Sequence, residues 1–186
     1  MAKLIYGSNM SLDGWTENEH GAFDWAQPDD DVFAFITNLM GSAGTYLYGR
    51  RMYETLAVWE TDPTLAAQSD LMADYASAWQ AADKVVYSST LTAPRTAKTR
   101  IERHFDPSAV LDLKAAASRD LLVGGPNLAA QALVAGLVDE LVLFVWPVVL
   151  GGHNSALPTD TRTDLELIDE HVFGSGVVYL RYRIQQ

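Results

Sequence analysis

The sequence predicts a three-layer α/β fold whose mostly parallel sheet ends in an antiparallel hairpin. Short apolar segments alternate along the chain with longer segments of helical periodicity, a pattern typical of parallel sheets covered by helices on both faces. Residues 141–149 form a continuous apolar run, which indicates a strand buried on both faces. The segments 165–173 and 177–184 are joined by a glycine–serine–glycine turn, which predicts a closing hairpin.

The other elements follow in chain order. Residues 3–10 predict the first strand, and the polar stretch 11–28 predicts a loop that is long for a compact domain. Aspartates at 29–31 precede apolar residues at helical spacing as far as Met40, so a helix with an acidic first turn is expected there. The remaining segments predict strands at 45–49, 84–88, 100–105 and 121–123, and helices at 52–56, 65–82, 107–118 and 128–135.

Composition and charge limit the kinds of partner that the protein can have. The chain has 186 residues, of which 48% are hydrophobic, so it can form the core of a single domain spanning residues 1–186. Its 24 acidic residues outnumber its 13 lysines and arginines. The resulting net charge of −11 argues against general binding to nucleic acid or to anionic membranes.

The sequence contains no cysteine, which excludes disulfides, thiolate catalysis and cysteine-ligated metals. Its four scattered histidines lack the spacing of metal ligands, so no metal site is expected. The longest apolar run, residues 141–150, is too short to span a membrane, and the first residues do not resemble a signal peptide. We expect a soluble, cytoplasmic protein.

Three predicted strands end in residues that suit phosphate groups. The strand at 121–123 is followed by Gly124 and Gly125 and then by a predicted helix. Glycines allow the backbone to approach a phosphate closely, and the helix N-terminus favours negative charge. A tight turn without a ligand would show the same residues, so this motif alone leaves both interpretations open.

The other two strand ends add side chains with matching chemistry. Gly49 is followed by Arg50 and Arg51, whose guanidinium groups suit phosphate oxygens, although one solvated and one salt-bridged arginine is the plain alternative. Ser88 and Ser89 lie at the end of the next predicted strand and offer hydroxyl groups, or simply a turn. Because ligands of such sheets bind at the carboxyl ends of the strands, the three ends together favour a phosphate-bearing ligand.

Several motifs occur in the order seen in one known family. They are Ser11-Leu12-Asp13-Gly14, Gly49-Arg50-Arg51-Met52-Tyr53-Glu54, Val86-Tyr87-Ser88-Ser89-Thr90-Leu91, Val123-Gly124-Gly125-Pro126-Asn127-Leu128, Gly136-Leu137-Val138-Asp139-Glu140-Leu141 and Pro147-Val148-Val149-Leu150-Gly151-Gly152. With these motifs, residues 3 to about 182 resemble the reductase domain of the bifunctional riboflavin-biosynthesis deaminase–reductase, a member of the dihydrofolate-reductase-like superfamily.

The resemblance implies the three-layer α/β/α dihydrofolate-reductase-like fold and an NADPH-dependent reductase that forms a homodimer. It also implies which residues contact the cofactor. Gly49, Arg50, Arg51 and Met52 would approach the diphosphate and the adenosine phosphate, Ser88 and Ser89 the adenosine side, and Gly124, Gly125, Pro126, Asn127 and Leu128 the diphosphate and the nicotinamide half.

The same resemblance places Asp13 on the substrate side, as the acid that assists hydride transfer. A carboxyl group in a partly aromatic loop is expected to have a raised pKa, which suits a proton donor. The alternative is an Asp13-Gly14 turn pair whose carboxylate binds nearby backbone. Trp15 and Trp25 lie in the same loop and offer flat walls for a heterocyclic substrate, or ordinary packing surfaces.

Two departures from the family narrow the expected function. The chain is too short and lacks the cysteines for the zinc deaminase domain of the bifunctional enzyme, so deaminase activity is excluded. Trp15 stands where the biosynthetic reductases commonly carry a basic residue. The first 49 residues hold Lys3 as their one basic residue against seven acids, which argues against a strongly anionic substrate.

We therefore expect an NADPH-dependent reductase similar to 5-amino-6-(5-phosphoribosylamino)uracil reductase of riboflavin biosynthesis, whose substrate is that pyrimidine or another flat nitrogen heterocycle. Two alternatives remain. One is reduction of a pteridine, as in dihydrofolate reductases, although the acid closest to the position near Phe33 expected for that substrate is Asp31, which suits the helix N-terminus instead. The other is a non-catalytic, dimeric module that binds a dinucleotide.

Overall fold

Ten strands and seven helices make up the computed structural model, which describes residues 1–158 and 162–185. The strands are β1 (Leu4–Ser11), β2 (Trp15–Glu17), β3 (Thr45–Gly49), β4 (Asp83–Tyr87), β5 (Thr99–Glu102), β6 (Leu121–Gly124), β7 (Glu140–Trp146), β8 (His153–Ser155), β9 (Leu165–Val172) and β10 (Val178–Ile184). The helices are α1 (Asp30–Ser42), α2 (Arg50–Leu56), α3 (Val58–Thr61), α4 (Pro63–Ala66), α5 (Asp70–Ala81), α6 (Pro107–Ala116) and α7 (Pro126–Val134). Within these described residues, no helix has the length and apolar character needed to cross a membrane.

Eight of the strands in the described part of the chain form one sheet, in the order β5-β4-β3-β6-β1-β7-β10-β9. All neighbours from β5 to β7 are parallel. In contrast, β10 runs antiparallel to both β7 and β9. The predicted mostly parallel sheet with a C-terminal antiparallel hairpin is therefore confirmed.

Helices cover both faces of the sheet because successive side chains of each strand point to opposite sides. On one face, Tyr46 and Tyr48 of β3 belong to a core that includes apolar residues of α1, α2 and α5. On the other face, Leu47 of the same strand belongs to a core that includes residues of α6 and α7. The two cores give the predicted three layers.

The long helix expected at 65–82 was a wrong prediction. The structure divides this segment into α4, which ends at Ala66, and α5, which begins at Asp70. The break occurs because Ser69 caps α5, its Oγ accepting a hydrogen bond from the Met72 N–H at 3.2 Å. A serine at this position stabilises a new helix N-terminus, which the apolar periodicity alone does not reveal.

Other boundaries also differ from expectation. The strand expected at 141–149 ends at Trp146, because Pro147 has no N–H for the sheet. The strand expected at 100–105 is shorter and starts one residue earlier, at Thr99. The long loop after β1 is not wholly irregular, since β2 pairs with β8 in a small antiparallel sheet.

Two acidic residues at the start of β7, Asp139 and Glu140, tie the central strands together. Glu140 is 1% exposed and accepts hydrogen bonds from Lys3 Nζ at 2.6 Å and from Arg181 Nε at 2.7 Å. Asp139 accepts a hydrogen bond from the Leu4 N–H at 2.7 Å and pairs with a lysine of α6. Asp139 and Glu140 therefore have a structural role. They lie at the amino ends of the parallel strands, opposite the carboxyl ends where a ligand is expected.

Replacing Glu140 with glutamine is expected to lower the free energy of unfolding at neutral pH by about 1–2 kcal/mol, because two cations lose a buried partner but can still reach water. Burial raises the pKa of Glu140, but the hydrogen bonds and charges of Lys3 and Arg181 outweigh it and hold the pKa below its usual 4.5. The unfolded chain therefore takes up this proton first as the pH falls.

Denaturant unfolding at several pH values checks this prediction. The difference between the wild type and Glu140→Gln is expected to shrink as the pH falls below about 4.5. Glu166→Gln is the matched control, because Glu166 forms an ion pair with Arg183 in which both side chains are about half exposed. An equal loss in both variants would contradict the assignment to the buried carboxylate.

Candidate active site

The three turns predicted to bind phosphate lie at one edge of the sheet. In the register of the parallel strands, Tyr48 pairs with Gly124, and Gly49 pairs with Tyr87. The strands β4, β3 and β6 are direct neighbours, so the turns that follow them stand side by side. The structure therefore brings together the glycine turn, the arginine pair and the serine pair that the sequence separates by up to 76 positions, from Gly49 to Gly125.

The turn between β6 and α7 depends on both of its glycines. A Cβ atom added to Gly124 would lie 2.8 Å from Cε1 of Tyr48, and Gly125 has a φ of +92°, which favours glycine. Pro126 occupies the first turn of α7, Leu128 is buried beneath it, and Asn127 is exposed. Since Gly125 has no side chain to cap α7, the first N–H groups of this helix are left to other acceptors.

Other helices of comparable length begin differently. The helices α1, α5 and α6 each start with a side chain that accepts a hydrogen bond from a first-turn N–H, namely Asp29, Ser69 and Asp106. Both helices at the candidate site, α2 and α7, instead begin after a glycine that provides no side-chain cap. An uncapped helix N-terminus beside open backbone can accept an anionic ligand.

Arg50 connects the turn after β3 with the turn after β4. Its Nη1 donates a hydrogen bond to Thr90 Oγ1 at 2.8 Å, and its Nε donates to Glu54 Oε1 at 3.1 Å. The side chain remains 47% exposed, so part of its guanidinium group faces solvent. Met52, two residues later, lies against the glycine turn, 3.7 Å from a Cβ atom built on Gly125.

Arg51 points to a different part of the molecule. Its Nη1 lies 2.9 Å from Glu17 Oε1, and its Nη2 donates to the Gly21 carbonyl oxygen at 2.7 Å. These contacts attach α2 to the loop that follows β2. The two adjacent arginines would have to converge on one position to bind a single phosphate. Their side chains point to different partners, so they do not converge.

The serine pair also divides into two roles. Ser88 is buried, and its Oγ accepts hydrogen bonds from the N–H groups of Thr90 at 3.3 Å and Leu91 at 2.9 Å, whereas Ser89 is exposed. Arg103 donates to the carbonyl oxygens of Ser88 and Leu91. Ser88 and Arg103 therefore hold the turn, while Ser89 and Thr90 present hydroxyl groups at its surface.

The strand β1 extends beyond its neighbour β6. Their pairing ends at Tyr6 and Val123, whereas the pairing of β1 with β7 continues to Ser11 and Trp146. The edge of β1 that faces β6 therefore has no strand partner from Gly7 onwards within the described residues. This unpaired part of β1 lies next to the strand that carries the β6–α7 turn.

Asp13 holds the loop after β1 against the segment after β7. Its Oδ1 and Oδ2 accept hydrogen bonds from the N–H groups of Leu150 at 3.1 Å and Gly151 at 2.8 Å. A hydrogen bond from Ser11, together with these backbone N–H groups, lowers the pKa of Asp13 to about 2. The raised pKa expected from the sequence is wrong, because the exposed carboxylate receives donors instead of apolar contacts.

We expect Asp13 to stay ionised throughout the neutral range. A titration of its carboxyl carbon by NMR should show a midpoint near pH 2. Asp13→Asn, which can accept through one oxygen only, is expected to speed hydrogen exchange at Leu150 and Gly151. A midpoint between pH 5 and 8 would contradict this prediction, and the catalytic role expected for Asp13 stays a prediction.

The two tryptophans proposed for the substrate side occupy separate positions. Trp15 begins β2, is half-buried, and donates its backbone N–H to Ser11 Oγ at 3.0 Å. Trp25 packs edge-on against Trp146, with ring centroids 6.2 Å apart and planes at 89°. The Trp25 Nε1 is buried and has no hydrogen-bond partner among residues 1–158 and 162–185. Both side chains border the loops at the end of β1 and β7.

The paired glycines after β7 are explained by contacts of the backbone. Gly151 has a φ of +58°, and a Cβ atom on Gly152 would overlap the carbonyl oxygen of Glu17. The sequence analysis identified this glycine motif, but only the fold shows that the two glycines allow β8 to pair with β2. In the described part of the chain, no group of three or more acidic or histidine side chains is arranged to hold a metal ion.

The sheet, with its glycine and arginine turns at the carboxyl edge, defines a dihydrofolate-reductase-like α/β domain. A family model described as the RibD C-terminal domain matches residues 2–179. The chain therefore belongs to the RibD C-terminal domain family.

Individual proteins are also similar to this chain. The chain is 28% identical over 182 residues to the uncharacterized protein YyaP of Bacillus subtilis (strain 168), covering 97% of this chain and 94% of that protein. Among solved structures, it is similar to a Shewanella sp. PV-4 protein named for riboflavin biosynthesis, with a TM-score of 0.77 and 20% identity over the whole of both chains. RibD of Acinetobacter baumannii has a TM-score of 0.66 at 17% identity, over all of this chain and 58% of that one. The structural likeness shows a shared fold.

Proposed function

We propose that this protein is an NADPH-dependent reductase that binds its cofactor across the turns after β3, β4 and β6. Membership in the RibD C-terminal domain family supports an oxidoreductase. The observation that carries the proposal is the Arg50 guanidinium, which bridges to Thr90 on the neighbouring turn, beside the glycine turn of α7. Neighbouring strand ends thus contribute donors that match the phosphates of a dinucleotide.

The residues fit such a ligand in space as well as in chemistry. A Cβ atom built on Gly49 would meet nothing within 4 Å, so the backbone there borders open space. Gly125 leaves N–H groups of α7 uncapped, and Arg50 retains exposed donors. When bound, NADPH supplies the hydride. The guanidinium of Arg50 and the uncapped N–H groups of α7 would hold its phosphates.

We extend the proposal to a substrate that is a flat nitrogen heterocycle without a phosphate group. The loop at 12–28 contains four acidic residues and no lysine or arginine, and the segment at 147–158 contains none of these charges. Arg51 reaches this loop, but Glu17 and the Gly21 carbonyl already bind its guanidinium. These two segments also expose apolar side chains, with exposed fractions of 66% at Leu12, 51% at Phe23 and 70% at Val149. A phosphorylated ribose would meet repulsion here.

Titration of the purified protein with NADPH, followed by nicotinamide fluorescence, tests the cofactor site. We expect saturable binding at micromolar concentrations. Absence of binding in that range would overturn the proposed function, including the alternative of a non-catalytic module.

Oxidation of NADPH is then compared across a ribosylaminopyrimidine with and without its phosphate, a pteridine and small imines. We expect the phosphate-free pyrimidine to be reduced faster than its phosphorylated counterpart. A preference for the phosphorylated compound would overturn the substrate assignment but not the cofactor site. Binding of NADPH without oxidation of any compound would favour the dinucleotide-binding module, and turnover of the pteridine alone would favour a dihydrofolate-reductase-like activity.

The homodimer and the cytoplasmic location expected from the sequence stay predictions and belong to this proposal. Measurement of the molar mass in solution by light scattering tests the dimer, whose expected value is twice the 20.4 kDa of one chain.

A further inference from the structure

We propose that Arg95, together with Arg50, recognises the adenosine phosphate that NADPH carries and NADH lacks. This inference rests on the proposed cofactor site and adds to it a residue that lies outside the family motifs. The loop runs from the end of β4 to the start of β5. Arg95 lies in it 45 positions after Arg50, and the fold brings the two guanidinium groups to the same carboxylate.

The backbone of Arg95 is held in place by a buried hydroxyl. Tyr53 is 0% exposed, and its hydroxyl oxygen accepts hydrogen bonds from the N–H groups of Arg95 at 2.8 Å and Thr96 at 3.1 Å. Glu60 Oε1 accepts a further hydrogen bond from the Ala97 N–H at 2.6 Å. The loop is thereby attached to α2 and α3. Tyr53 acts as a positioning residue that sets where the Arg95 side chain begins.

The guanidinium groups of Arg95 and Arg50 share one acceptor. Glu54 Oε1 lies 3.5 Å from Arg95 Nη2 and 3.1 Å from Arg50 Nε. Arg50 also donates to Thr90, while Arg95 remains 59% exposed. An anionic oxygen is thus already stabilised between two cations, and their remaining N–H groups face solvent. A phosphate placed beside them would find two forked donors and a hydroxyl group.

The other arginines near this turn form ion pairs or hydrogen bonds with other groups. Arg51 binds Glu17 and the Gly21 carbonyl, on the side of the substrate loops. Arg103 donates to two carbonyl oxygens of the turn itself, and Arg100 pairs with Glu102 on β5. Arg95 shares a carboxylate with Arg50, whereas Arg51 pairs on the side of the substrate loops, so Arg95 is the second arginine of the proposed phosphate site.

The test compares Arg95→Ala with Arg100→Ala, a matched control that removes an arginine of similar exposure from the adjacent strand. Dissociation constants for NADPH and NADH are measured by nicotinamide fluorescence. We expect Arg95→Ala to raise the NADPH constant by about 5- to 20-fold and to change the NADH constant by less than about twofold. Arg95→Lys should recover part of the loss, and Arg100→Ala should behave as the wild type.

Each outcome decides between the two proposals. If the wild type binds neither cofactor, the proposed function fails. If the wild type binds NADPH but Arg95→Ala weakens both cofactors equally or neither of them, the assignment of Arg95 is overturned while the cofactor site stands. Tyr53→Phe provides an independent measurement, because loss of its hydroxyl should reduce the ratio of NADPH to NADH affinity in protein that still unfolds cooperatively. An unchanged ratio would contradict the positioning role.

Discussion

Replacing Arg50 with alanine is expected to weaken NADPH binding by about 10- to 100-fold, with a much smaller effect on NADH. Hydrogen bonds to charged groups contribute about 1.5–3 kcal/mol each, which corresponds to a factor of this size. Arg50 is half exposed and its contacts to Thr90 and Glu54 lie at the surface, so its removal should leave the fold intact. The variant therefore separates binding from stability.

The measurement is the pair of dissociation constants, accompanied by thermal unfolding of each variant. Arg162→Ala serves as the control, because Arg162 is 87% exposed and pairs with Asp164 close by in the sequence. Equal losses for NADPH and NADH would assign Arg50 to the diphosphate that both cofactors share. No loss for either would remove the observation on which the proposed function depends.

Replacing Gly124 with alanine is expected to lower the free energy of unfolding by about 3 kcal/mol, the upper part of the range for overpacked cores. The added Cβ would lie 2.8 Å from Cε1 and 3.0 Å from Cδ1 of Tyr48, and 3.4 Å from Cε of Met52. Tyr48 is 2% exposed and cannot turn away into solvent. The strand pair would have to separate at the point where the glycine turn begins.

Gly49→Ala is the matched control for this second prediction. A Cβ atom there meets nothing within 4 Å, and its φ of −72° is open to any residue, so stability should change by less than about 1 kcal/mol. Urea unfolding measures the free energy of unfolding of both variants. Titration with NADPH then compares how tightly the two variants bind the cofactor. Similar stabilities for the two variants would contradict the packing of Gly124 against Tyr48.

The architecture was predictable because strand and helix periodicities are local. The apolar run before Pro147 and the glycine–serine–glycine turn identified a buried strand and a closing hairpin, which the structure confirms. The helix expected at 65–82 failed because apolar spacing continues across Ser69, whereas a single capping hydroxyl is sufficient to start a new helix. The pairing of β2 with β8 joins segments about 138 positions apart and leaves no local pattern.

The candidate site was predictable as a set of turns but not as a set of contacts. Parallel strands carry their carboxyl ends to one edge, so Gly49 and Gly125 were expected to meet there. The direction of each side chain depends on partners from distant segments. Arg51 turns to Glu17, Ser88 turns inward to its own loop, and Asp13 binds the N–H groups of Leu150 and Gly151.

By itself, the sequence determined the α/β class, the family motifs and the types of residue that stand at the strand ends. These follow from periodicity, composition and short-range spacing, which one chain segment carries without its neighbours. Only the tertiary structure decided which charges are paired and which remain available. Hydrogen bonds and ion pairs act over a few ångströms, so a pKa or a free guanidinium depends on what the fold places beside it. For this reason Asp13 is an ionised loop anchor, and Arg95 stands beside Arg50 at the edge of the sheet.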